Sequence, residues 1–145
     1  MQPDLHENAK WVQALDPDNY AASAQTGVAI DTRGYEDITF ALQVGDIGTN
    51  GTIAAKIQES DQSNTGFADI TGAAITAMSK ASPDQSNKAA LIRLRLQAPR
   101  KRYLRIVVTP GTAASDLGVI AVLTGPSVHK PISQPSYVDQ VVSVV

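Results

Sequence analysis

Apolar and polar residues alternate along the central part of the chain. From residue 38 to residue 44 every second residue is large and apolar (Ile, Phe, Leu, Val), and Thr, Ala and Gln lie between them. A period of two predicts a β-strand with one buried face. The same alternation returns over residues 53–57, 92–96 and 104–108. Residues 119–123 are apolar at every position, on both sides of the expected strand, which is typical of a central strand.

Turn residues divide these segments and predict how they pair. Asn50-Gly51 is favoured in tight hairpin turns, so we expect a hairpin over residues 37–60. A turn at 98–101 predicts a second hairpin, which would place Arg105 beside Arg93 and Arg95 on one outer face. Residues 73–80 fit a strand or a helix. Seven or eight short strands separated by turns predict an all-β fold, a single antiparallel β-sandwich or jelly-roll-like domain.

The pattern divides the chain into a sandwich with an extended arm on each side. Residues 1–26 have no sustained hydrophobic period, and we expect them to form an N-terminal arm. We expect the sandwich domain over residues 27–125. Residues 126–145 are rich in proline and predict an extended tail. Within the arm, Trp11, Val12 and Leu15 form its one sizeable apolar cluster. They either cap the core or anchor the arm on a neighbouring subunit, since Trp is enriched at interaction hot spots.

The tail carries the remaining candidate contacts. Its prolines forbid a continuous helix or central strand, and we expect Pro131, Pro135 and Tyr137 to lie on a surface. The apolar residues at 141–145 would favour aggregation if they were exposed, so we expect them to pack on the same subunit or on a neighbouring one.

The composition excludes several classes of protein. Of 145 residues, 43% are hydrophobic and 18% charged, which fits a chain with a real core rather than a disordered one. There is no cysteine, which excludes disulfides and thiolate metal sites. No apolar run approaches the ~20 residues that span a bilayer. The first residues lack a basic segment followed by an apolar one, so we expect synthesis in the cytoplasm.

Residues that perform chemistry are scarce in the predicted sandwich. The two histidines, His6 and His129, lie in the terminal stretches. Asp16-Pro-Asp-Asn19 resembles the start of a calcium loop, but Ala and Gly occupy the positions that need Gly and Glu. Glu36 and Asp37 are adjacent and so point to opposite faces of a strand. We expect no catalytic residues, no cofactor and no metal.

Half of the basic residues fall in one stretch. Six of the twelve lie between positions 93 and 105, among them the three candidate contacts Arg93, Arg95 and Arg105. They form either a solvated face or a surface that pairs with an acidic partner. A net charge of −2 and the lack of interleaved aromatic residues other than Tyr103 argue against binding to nucleic acid.

Three segments carry a resemblance to a known family. They are GVAIDTRGYEDITF at 27–40, IQESD at 57–61 followed by FAD at 67–69, and KRYLRIVVT at 101–109. Over residues 25–125 the chain resembles the head decoration, or cement, proteins of tailed bacteriophages. The resemblance implies an all-β fold, assembly on a capsid surface and no catalysis.

The leading hypothesis is therefore a non-enzymatic virion protein that binds the major capsid protein and stabilises the head, as a homotrimer or another small ring. It would be made in the host cytoplasm and located on the capsid surface, without contact to nucleic acid or membrane. Two alternatives are a head-tail connector or tail protein and, with few exposed aromatic residues in its favour, a carbohydrate-binding module.

Overall fold

The computed structural model describes residues 8–125 and confirms the all-β prediction. Strands β1–β5 are Ala9–Tyr20, Gln25–Thr26, Ile30–Asp31, Asp37–Ile47 and Thr52–Ser60. Strands β6–β10 are Ala68–Ala74, Met78–Ser79, Ala89–Arg95, Tyr103–Gly111 and Ser115–Thr124. Among these residues, no helix is long and apolar enough to cross a membrane.

The strands form two antiparallel sheets. Sheet A has the order β1-β10-β4-β8, and sheet B has the order β2-β9-β5-β6, with β3 paired to β9 and β7 to β5. The predicted alternation decides which side chains lie between the sheets: Ile38, Phe40 and Leu42 of β4 are almost fully buried. Facing residues of sheet B, among them Ile53, Ile57 and Ile106, are buried too. One core therefore fills the space between the sheets.

Strand β10 lies at the centre of sheet A, as its apolar sequence predicts. It pairs with β1 on one side and β4 on the other, so that Ile120 lies between Gln13 and Ala41. Beyond β4, strand β8 continues the row, with Leu91 opposite Ala41. Both lateral strands of sheet A, β1 and β8, pair on one side within the described part of the chain.

The two predicted hairpins are wrong. Asn50 has φ 57° and the Gly51 N–H donates to Gly48 O over 2.7 Å, so the chain does turn there. However, β4 belongs to sheet A and β5 to sheet B, because β10 and β8 occupy both edges of β4. Strands β8 and β9 also lie in different sheets. Arg105 is therefore not beside Arg93 and Arg95.

Residues 9–20 also differ from the prediction, which placed them in an arm. They form β1, which pairs with β10 over most of its length and has register shifts between Gln13 and Leu15 and between Leu15 and Asp18. Val12 and Ala14 point into the core and are buried. Part of the predicted arm is thus an integral strand of the sandwich.

The segment left open between strand and helix contains strand. Residues 73–80 include the end of β6 and all of β7, and both strands pair with β5. The predicted tail, residues 126–145, lies outside the described residues, as do residues 1–7.

Candidate interaction surface

The outward side chains of sheet A form a surface with an apolar centre, which we call the sheet A face. The register places two adjacent rows of outward residues side by side across the four strands: Gln13, Ile120, Ala41, Leu91; and Trp11, Val122, Thr39, Arg93. Leu91 is 69% exposed, Ile120 48% and Trp11 36%. Large exposed apolar side chains gathered on one face mark interaction sites in soluble proteins.

A groove of about 840 Å³ runs along this face. Its lining includes Ile120 and Val122 of β10 together with Pro17 at the bulged end of β1. Pro17 lies directly against Gly118, where an added Cβ would come within 2.9 Å of the Pro17 Cα. The absence of a side chain at Gly118 thus lets the end of β1 pack closely against β10 and form one wall of the groove.

Carboxylates gather beside the groove on the β1 side. Gln13 Nε2 donates to Asp16 Oδ1 over 2.6 Å, and Asn19 Nδ2 donates to Asp116 Oδ1 over 2.7 Å. No Lys or Arg in residues 8–125 forms an ion pair with Asp16, Asp18 or Asp116. This side of the face is therefore acidic.

The phenol of Tyr20 lies beside these carboxylates, and their charges shift its pKa. The Tyr20 hydroxyl donates to Asp16 O over 2.6 Å. Burial raises the pKa of Tyr20, and the negative charges of Asp16 and Asp18 raise it further. Both effects disfavour the phenolate.

The opposite side of the sheet A face is basic. Arg93 and Arg95 project from the outer face of β8, and Lys88 lines the groove just before that strand. Arg93 Nη2 lies 3.6 Å from Asp37 Oδ1, a buried oxygen that has no hydrogen-bond partner among the described residues. Arg95 has no ion pair within the described part of the chain. Acid and base therefore lie at opposite sides of one apolar surface.

The outer side of sheet B, which we call the sheet B face, is polar and paired with itself. Arg105 stacks over the Phe67 ring at 4.1 Å from its centroid, and its Nε donates to Gln58 Oε1 over 2.9 Å. Gln58 Nε2 in turn donates to Asp69 Oδ1 over 2.7 Å, and Lys56 Nζ lies 2.9 Å from Asp69 Oδ2. These donors and acceptors satisfy one another within the chain.

A second paired group holds β3 onto β9. Arg102 donates from Nε and Nη2 to the two Asp31 oxygens over 2.9 and 2.8 Å. The hydrogen bond from Arg102 holds the pKa of Asp31 below its ordinary value. Such a bidentate pair fixes the geometry of both side chains.

The structure separates the predicted contact residues. Trp11 lines the groove, and Arg93 and Arg95 lie on the same face. Leu15 pairs with the buried residue Val119 and packs against the core. Val12 is a correction: it is 5% exposed and packs in the core, because β1 alternates. Arg105 lies on the sheet B face. Pro131, Pro135 and Tyr137 lie outside the described residues.

Sequence reasoning missed Ile120, Leu91 and Asp116 as surface residues. The sequence did indicate Ile120, because residues 119–123 are all apolar, and consecutive residues of a strand point to opposite sides of its sheet. In residues 8–125 no three His, Cys, Asp or Glu side chains cluster in a way that could hold a metal ion.

No protein-family model matches the chain, and no curated protein matches it. Several solved structures are similar in fold. The PBSX exported protein XepA superposes with a TM-score of 0.57 and 15% identity, covering 100% of this chain and 45% of XepA. The SPBc2 prophage-derived protein YomS superposes with a TM-score of 0.52 and 9% identity, and the match covers 81% of this chain and 94% of YomS.

A viral protein shows the same architecture. VP2 of the infectious bursal disease virus subviral particle superposes with a TM-score of 0.52 and 10% identity, covering 84% of this chain and 34% of VP2. At these identities the likeness concerns the fold. The chain thus shares its sandwich fold with two proteins that are named for prophages and with part of a protein of a viral particle.

Proposed function

We propose that this protein is a non-enzymatic structural component of a tailed-phage particle that binds the outer surface of the capsid and stabilises the shell. Its partners would be the major capsid protein and further copies of itself, in a trimer or another small ring. It would be located on the virion surface and would bind neither nucleic acid nor membrane.

The observation that carries this proposal is the sheet A face. Ile120 of the central strand β10 and Leu91 of the lateral strand β8 are exposed on it. On one side lie carboxylates that pair with no Lys or Arg of residues 8–125, and on the other side lie Arg93 and Arg95. A surface of this kind is typical of a protein that functions in contact with other proteins.

The fold supports the same role. The chain superposes on two proteins that are named for the prophages PBSX and SPBc2, and on VP2 of a subviral particle. Binding at the junctions of a shell favours a rigid module with more than one point of attachment, because a second contact on the same shell is effectively intramolecular. The sandwich and the segment 126–145 together could supply two such contacts.

The scarcity of reactive side chains supports a non-enzymatic role. An active site needs nucleophiles, acids or bases held in fixed geometry by the rigid part of a fold. The described sandwich has no cysteine and no histidine. Its shifted carboxyl groups pair with Arg or Lys or with local hydrogen bonds rather than with one another.

Copy number in purified source particles tests the proposal. Quantitative mass spectrometry should find hundreds of copies, in a fixed ratio to the major capsid protein. A handful of copies per particle would favour the connector or tail alternative, and absence from particles would overturn the virion role altogether.

The segment 126–145 is tested separately by deletion. We expect the shortened protein to keep its far-UV circular dichroism spectrum and to occupy capsids less than the full chain does. A variant with the same twenty residues in scrambled order keeps length and composition and serves as the control. Unchanged occupancy after deletion would contradict a capsid contact by this segment.

A further inference from the structure

We propose that residues 137–143 add to the open edge of β8 in the same copy of the protein, as a further antiparallel strand of sheet A. The inference goes beyond the proposed function, because it concerns the single chain rather than its place on a particle. Residues 126–136 would form the connection and would remain available for a capsid contact. Because the added strand is measured on the isolated protein, its failure is distinguishable from a failure to bind capsids.

Strand β8 has one row of backbone groups without a neighbouring strand. The Val44 N–H donates to Lys88 O over 2.9 Å, so the even-numbered residues of β8 bond to β4. Alternate residues of an antiparallel strand point their N–H and C=O groups to opposite sides, so those of the odd-numbered residues point away from β4. Sheet A has no strand beyond β8 within residues 8–125. The odd-numbered residues are Ala89, Leu91, Arg93 and Arg95.

The other lateral strand of sheet A is protected, whereas β8 is regular. Strand β1 contains Pro17 and two register shifts, and the Val28 N–H donates to Ala14 O over 2.9 Å. Strand β8 pairs with β4 over seven residues without a register shift and contains no proline. Long regular edges are templates for another strand. The edge of β8 is therefore the site at which sheet A can be extended.

Beside this edge the space between the two sheets is open. A cleft of about 500 Å³ lies between β8 and β6, the lateral strand of sheet B. Ile92 and Leu94 line the cleft from β8 and are partly buried, and Ile70 lines it from β6. An added strand would place every second side chain against these residues and remove more of their apolar surface from water.

The residues after Pro135 have the composition of a strand. Residues 126–145 contain prolines at positions 126, 131 and 135, and none from 136 to 145. Residues 137–143 are Tyr-Val-Asp-Gln-Val-Val-Ser, and tyrosine and valine are enriched in strands. The prolines, which cannot donate to a ladder, all fall in the connection.

The position at which the chain leaves β10 suits the edge of β8. Thr124 pairs with Asp37 and Asp37 with Arg95, so β10 and β8 end at one level of sheet A. Three strand spacings, about 14 Å, separate β10 from a strand beyond β8. The eleven residues 126–136 can extend about 36 Å, which is sufficient. This short tether raises the local concentration of the segment at its own β8 above that at a neighbouring copy.

The direction of the chain also fits. Strands β10 and β8 are both antiparallel to β4, so they run in the same direction. A segment that crosses the end of the sandwich from β10 and enters beside Arg95 therefore runs antiparallel to β8.

Charge argues against a second β8 at this edge and selects the register of the segment. Pairing β8 with β8 of another copy would gather the arginines of both copies at one edge. Residues 137–143 instead carry one Asp and no Lys or Arg. With Asp139 beside Arg93, the outward pairs join carboxylate with guanidinium, ring with guanidinium and apolar with apolar. These pairs are Asp139 with Arg93, Tyr137 with Arg95 and Val141 with Leu91.

Hydrogen exchange of the full chain, followed by NMR, tests the added strand. We expect the Leu91 and Arg93 amides to be protected although they point away from β4, because they would donate to the added strand. Deletion of residues 137–145 should make both exchange about tenfold faster or more. The Ile92 amide, which faces β4, should keep its protection.

Two proline variants form a matched pair for the same measurement. Val141→Pro should release the Leu91 and Arg93 amides as the deletion does, because the residue 141 N–H would face β8. Val142→Pro is the control, since the N–H of residue 142 would face solvent, where proline is tolerated.

Disulfide formation tests the register and the copy. The chain has no cysteine, so Leu91→Cys with Val141→Cys introduces a single pair. Directly opposite residues have Cα atoms about 5.5 Å apart, within the range of disulfides. We expect mild oxidation to join them within one chain, as shown by intact mass and a non-reducing gel. Leu91→Cys with Val142→Cys is the control, because residue 142 would point to the opposite side of the sheet.

Three results would overturn the inference. The first is fast exchange of the Leu91 and Arg93 amides in the full chain. The second is equal cross-linking of residue 91 to residues 141 and 142. The third is a disulfide that joins two copies, because it would place the segment on a neighbouring subunit.

Discussion

The two outer faces of the sandwich are built from the same kind of strand but satisfy their side chains differently. On the sheet B face, Arg105, Gln58, Asp69 and Lys56 form a continuous network, and Arg105 also covers Phe67. On the sheet A face, Ile120 and Leu91 are exposed, and Asp16 and Asp116 form no ion pair with a Lys or Arg of residues 8–125. A face whose groups pair internally has little to gain from a partner, whereas the sheet A face gains by burial.

The difference has a simple origin in the sequence. Outward positions of β5, β6 and β9 include Lys56, Gln58, Asp69 and Arg105, whose side chains reach one another across neighbouring strands. Outward positions of β10 and β8 include Gly118, Ile120, Val122 and Leu91, which offer area but no hydrogen bonds. We therefore expect sheet B residues to matter for folding and the sheet A face to matter for association.

The largest expected effect separates the inner and outer sides of β10. Leu123→Ala should lower the free energy of unfolding by about 2–5 kcal/mol, because Leu123 is completely buried between the sheets. Ile120→Ala on the same strand should change it by about 0.5 kcal/mol or less in the monomer. Urea unfolding of dilute protein measures both, since dilution removes the contribution of self-association.

A large loss of stability from Ile120→Ala in dilute protein would break the comparison. It would mean that the outer side of β10 supports the fold of the single chain, and that its exposure is not reserved for a partner.

Gly118 provides the next largest effect. Gly118→Val should destabilise the protein by about 1–3 kcal/mol, because the added Cβ meets the Pro17 backbone at 2.9 Å and overpacking displaces the end of β1. Gln43→Val is a matched control, since Gln43 is the exposed neighbour that pairs with Gly118 on β4. Thermal unfolding should show a loss for the first variant and little change for the second.

Sequence patterns predict those features of this structure that depend on neighbouring residues, and they fail for features that depend on residues distant in the chain. The period of two in β4 predicted both the strand and its buried residues Ile38 and Phe40, because burial of one face is a local property of alternation. The turn at Asn50-Gly51 was also found, but a turn does not specify which sheet receives the next strand. That choice depends on the strands that already flank β4, which are distant in sequence.

Strand β1 and the sheet A face were missed for related reasons. Pro17 and the acidic residues around it interrupt the alternation of β1, and the bulges that accommodate them depend on pairing with β10. Ile120 was interpreted as part of a buried central strand, because the sequence does not tell that one side of sheet A remains uncovered.

Two arginines test the faces directly. Arg105→Ala should cost about 1 kcal/mol in unfolding free energy, since it removes both the stacking on Phe67 and the hydrogen bond to Gln58. Arg95→Ala, the same substitution on the sheet A face, should be nearly neutral in the dilute monomer. Equal losses from both variants would show that the two faces do not differ in the way described.

The smallest expected effect is the acid dependence of the sheet B side. Hydrogen bonding to Arg102 lowers the pKa of Asp31 below its ordinary 3.8, and Lys56 and Gln58 do the same for Asp69. A carboxyl group whose pKa is lower in the folded state stabilises the fold above its unfolded pKa, and this stabilisation is lost as the pH falls through the folded value. The urea midpoint should therefore decrease from about pH 4 downward, by less than the Arg105→Ala effect for any one group, because these pairs are partly exposed and screened. Asp31→Asn should reduce the slope of this decrease, and Arg102→Gln should reduce it by a smaller amount, because the backbone N–H and the charge of Arg33 also lower the pKa of Asp31. The double variant should have the slope of Asp31→Asn, and a slope reduced by the sum of the two single effects would contradict the assignment of the Asp31 shift mainly to Arg102.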